Sequence, residues 1–146
     1  MKEVDRHQAG MAGTEKQRSD IEALFRAFAP NKAERWCSLL SMAPKRWGDI
    51  SPIDDWPLDS EFDSRPDLPL EELLSTRPLA AHLNSEVIVM RCGHSNNPGI
   101  SALPLRDVFP RNQLDYDILF EGFVSILPGK LALALNHEGG LCLLEA

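Results

Sequence analysis

The sequence predicts an α+β domain: N-terminal short helices packed on a three- to four-stranded, mostly antiparallel sheet ending in a C-terminal meander. Three observations carry that expectation. Ile21, Leu24, Phe25 and Phe28 recur at the spacing of one buried helix face. Val87-Ile88-Val89-Met90 is a continuous apolar run, the mark of a strand covered on both faces. The closing stretch LPGKLALALNHEGGLCLLEA alternates leucine with alanine between two turn signals, the pattern of antiparallel hairpins. At 146 residues, 43% hydrophobic and 25% charged, the chain has the size and balance of one globular domain.

Residues 1–18 are polar, aperiodic and read as a disordered tail, leaving 19–146 as the single domain. Ser19-Asp20-Ile21-Glu22 fits a capping box and places the first helix start at Ser19, with Pro30 closing it. Asn31-Lys32-Ala33-Glu34 repeats the capping logic for a second helix through Ala33, Trp36, Cys37 and Leu40, ended by Pro44. From Lys45 to Pro69, prolines interrupt any regular run, and Trp47, Ile53, Trp56, Leu58 and Phe62 are scattered among acids. A short helix is expected from Pro69 through Leu74, and another turn over Leu79 to Leu83. Strands follow from Glu86 to Met90 and from Ile118 to Leu127. A loop, GHSNNPG, and a short helix, Leu103 to Phe109, lie between them. Gly122 inside the second strand signals a bulge or a close backbone approach. Leu127-Pro128-Gly129-Lys130 fits a type II turn. Beyond it Leu131, Leu133 and Leu135 form a core face, while Ala132 and Ala134 form a shallow face that a helix can approach.

Composition narrows the function classes. No apolar run reaches the roughly 18 residues of a membrane span, and the N-terminus lacks the apolar core of a secretory signal. Cys37, Cys92 and Cys142 are odd in number and form no CxxC pair, which reads as reduced cytoplasmic thiols. No phosphate-binding glycine loop, HExxH or G-x-S-x-G motif occurs.

Two constellations remain. Cys92 and His94, with His137 and Cys142 of the terminal hairpin, supply the residue types of a thiol nucleophile with its base, or of a zinc site with two sulfurs and two nitrogens. C-x-H is too short for a standard zinc knuckle, and cysteines at strand ends are commonly small buried hydrophobes. His7 and His82 read as a solvated and a satisfied histidine. No catalytic residue, metal or cofactor is assigned.

The second constellation is electrostatic. The net charge is −7, but residues 49–72 hold nine acids and only Arg65 as a base. That segment therefore carries −8 and the rest of the chain +1. Asp49, Asp54, Asp55, Asp59, Glu61 and Asp63, interleaved with Trp47, Trp56 and Phe62, combine carboxylates that steer a cationic partner with aromatics that anchor it, Trp56 and Phe62 first among them. Residues 16–47 hold seven bases against three acids, so the molecule is either dipolar or internally paired.

The organisation is similar to that of bacterial immunity proteins, small acidic cytoplasmic α+β inhibitors that bind one cognate toxin. The similarity lies in size, charge and the missing catalytic motifs, and it assigns no individual residue. The expectation is a non-enzymatic antitoxin-type inhibitor that occludes a basic protein through residues 49–72, with no direct nucleic-acid or membrane partner. The alternatives are a small Cys/His-dependent enzyme or zinc protein using Cys92, His94, His137 and Cys142, and a structural subunit that pairs through Leu141 to Leu144.

Overall fold

A computed structural model describes residues 12–51, 77–93, 98–108, 121–135 and 141–146. Within them the α+β expectation holds, but the antiparallel sheet has five strands, in the order β2-β1-β3-β4-β5. Helix α1 (Glu15–Phe28), α2 (Ala33–Leu40) and a 3₁₀ helix (Pro44–Asp49) precede a four-residue helix α3 (Arg77–Ala80). Strands β1 (Glu86–Arg91) and β2 (Gly99–Pro104) follow, then α4 (Leu105–Val108), β3 (Gly122–Leu127), β4 (Leu131–Leu135) and β5 (Leu141–Glu145). The expected helix from Pro69 to Leu74 lies outside the described residues.

Strand β2 is the addition. It pairs along the whole of β1, from Glu86 opposite Pro104 to Arg91 opposite Gly99. The other side of β1 pairs with β3, so the chain crosses over β1 between β2 and β3 before the β3-β4-β5 meander. The Leu127–Lys130 turn closes as the sequence predicts, Lys130 N–H donating to the Leu127 carbonyl at 2.8 Å.

Helix α1 begins at Glu15, not Ser19. The capping box that forms is Thr14 with Gln17, each accepting from the other's backbone N–H. The four added residues form a polar first turn, which apolar spacing cannot reveal. Helix α2 starts at Ala33 after Lys32, and no side chain caps it.

Both faces of the sheet are buried. On one, Ile100, Met90, Phe123 and Ala134 line up across four strands, and Ala102, Ile88, Ser125, Ala132 and Leu144 line up beside them. Helices α1 and α2 cover this face with Ile21, Leu24, Phe25, Trp36 and Leu40. The alanines are what allow that approach, as expected. Phe25, Trp36 and Phe123 meet at centroid distances of 5.2, 5.4 and 5.9 Å in edge-on and tilted geometries. Each such pair adds about 0.5–1.5 kcal/mol beyond its buried area. On the opposite face Val87, Val89, Val124, Ile126, Leu131, Leu133 and Leu135 pack with Leu79, Leu105 and Val108 from α3 and α4.

Candidate functional site

The only described carboxylate that is fully buried lies where β1 ends and β3 begins. Glu121 immediately precedes β3 and its backbone carbonyl accepts from Cys92 N–H at 2.8 Å. Two glycines make the corner possible. A Cβ on Gly122 would overlap the Met90 carbonyl oxygen, so β1 and β3 approach here over bare backbone. This is the close-approach alternative raised by Gly122 in the sequence. Gly93 has φ +62°, and a Cβ on it would overlap the Glu121 carboxylate, 2.6 Å from Cδ. Gly93 N–H in turn reaches the Trp47 carbonyl at 3.4 Å.

Trp47 is therefore part of the scaffold. Its ring is fully buried, and Nε1–H donates to the Met42 carbonyl at 3.2 Å. It belongs to the helix-side core together with Ile50, so of the aromatics near the acids it cannot serve as an exposed anchor. Ile50, before the acidic run that begins at Asp54, packs on the helix-covered face, and Leu79 of α3, after it, packs on the opposite face.

Of the acids singled out in the sequence, Asp49 is described. It closes the 3₁₀ helix, and its Oδ2 accepts from Arg35 Nη2 of α2 at 3.1 Å. The Arg35 and Asp49 side chains are 63% and 69% exposed, so solvent screens the pair and it contributes about 0.2–1 kcal/mol. Asp54, Asp55, Trp56, Asp59, Glu61, Phe62 and Asp63 lie outside them. Arg26, Lys45 and Arg46 are exposed on the helical layer.

Strands β3 and β4 separate β1 from β5, so Cys92 and Cys142 of the Cys/His constellation are not brought together. Three strand spacings put the Cys92 and Cys142 backbones about 14 Å apart or more, whereas two thiolates on one zinc each stand about 2.3 Å from the metal. They cannot ligate the same ion. Cys142 sits opposite Ala134 in the β4–β5 ladder. His94 and His137 lie outside the described residues. Burial pushes the Cys92 thiol well above its ordinary value, and the Glu121 charge pushes it further, so it is protonated at neutral pH. Burial also raises the Cys37 thiol, partly offset by the Arg26 charge. No cluster of three or more His, Cys, Asp or Glu suited to a metal occurs among the described residues. No described helix is long and apolar enough to cross a membrane.

Sequence reasoning missed the Glu121 corner. Its signal was a glycine directly after an acid at a strand start, paired with a second glycine after Cys92. Each was legible alone, but their apposition depends on the β1–β3 register. Comparison with protein-family models, curated proteins and solved structures finds no match for this chain.

Proposed function

We propose that this protein is a non-enzymatic binding protein, an inhibitor that occludes a basic partner protein through the acidic segment from Asp49 to Glu72. The carrying observation is the charge layout: −8 concentrated in 24 residues of a chain whose remainder sums to +1. The rigidity of the segment's two roots supports the reading. Trp47 and Ile50 at one root and Leu79 at the other are fully buried, so the ordering cost of presenting the carboxylates is borne partly by the fold. The Arg35–Asp49 ion pair is exposed and weak, so a cationic partner can compete for Asp49. In this mechanism the acids steer association, Trp56 and Phe62 anchor the docked state, and the folded body blocks the partner's working surface by its bulk.

The test is capture from native cells, identification of the bound protein, and titration of that protein's own activity. The reading requires a basic partner that is inhibited at one-to-one stoichiometry. A partner whose activity is unchanged when saturated contradicts occlusion, and an acidic partner contradicts the electrostatic docking.

A further inference from the structure

We draw no further inference here: the strongest candidate, the outer edge of strand β5 at one side of the sheet, carries nothing because no described residue shows what covers it.

Discussion

Replacing Gly122 with alanine probes the junction on which the sheet depends. The added Cβ would overlap the Met90 carbonyl oxygen and stand 3.0 Å from Met90 C and 3.2 Å from Arg91 Cα. All three are backbone atoms and cannot swing aside. Relief requires β1 and β3 to part, which breaks the ladder around Arg91–Gly122 and Met90–Phe123. Two ladder hydrogen bonds at about 1 kcal/mol each, plus loosened packing of Phe123 worth about 1–3 kcal/mol, sum to a loss of about 3–5 kcal/mol. For a domain of this size that lowers the melting temperature by about 6–20 °C. Gly48 provides the matched control. A Cβ there meets only the Gly93 carbonyl oxygen at 4.0 Å, and Gly48 lies exposed in the 3₁₀ helix. Gly48→Ala should stabilise by about 0.4–1 kcal/mol through the unfolded chain. Thermal and urea denaturation followed by circular dichroism measures both. A Gly122→Ala variant that melts within about 2 °C of the parent, less than the shift of 1 kcal/mol, would refute the close-approach argument.

Further outcomes follow from the same geometry. Ser125 is buried on the helix-covered face with its hydroxyl unpartnered, so Ser125→Ala should raise stability by about 1 kcal/mol; a loss in urea denaturation would show that the hydroxyl is satisfied. Asp49→Asn should change stability by less than about 1 kcal/mol because the pair with Arg35 is exposed, and a larger loss would mean the acidic root is held more firmly than its exposure implies. The Cys92 and Cys37 thiols are both raised in the folded protein, so below the ordinary value of 9.0 neither makes stability depend on pH. Above it the unfolded chain releases those protons first, and stability falls as pH climbs toward the folded values. A Cys92→Ala variant should flatten that alkaline decline, and native Cys92 should resist alkylation at neutral pH; rapid labelling of folded protein would contradict its burial.

Local chemistry made much of the fold legible. The 3.6-residue spacing of Ile21, Leu24, Phe25 and Phe28 predicts a helix face, and Ile21, Leu24 and Phe25 are indeed buried. The run from Val87 to Met90 is buried on both faces as its unbroken apolarity implies. Strand β2 was not legible. Gly99-Ile-Ser-Ala-Leu-Pro104 begins in a turn-forming stretch and ends in proline, signals that argue against a strand. An edge position tolerates that proline, and the partner β1 supplies what local propensity lacks. Capping was half legible: Thr14-Glu-Lys-Gln17 satisfies the same pattern as Ser19-Asp-Ile-Glu22, and pattern alone cannot rank them. Of the Cys/His set, the placement of the two cysteines depended on strand order: Cys92 follows β1 and Cys142 lies in β5, with β3 and β4 between those strands.

The association rate of the captured partner, measured against ionic strength for the parent chain and for Asp54→Lys/Asp55→Lys/Asp59→Lys, bears most directly on the acidic-docking claim. Each reversal shifts the charge by two, so the segment falls from −8 to −2. The account predicts a parent on-rate that drops steeply with salt, and a triple variant about tenfold or more slower at low salt with a flattened salt dependence. A triple variant that keeps the parent's fold, on-rate and salt dependence would contradict it.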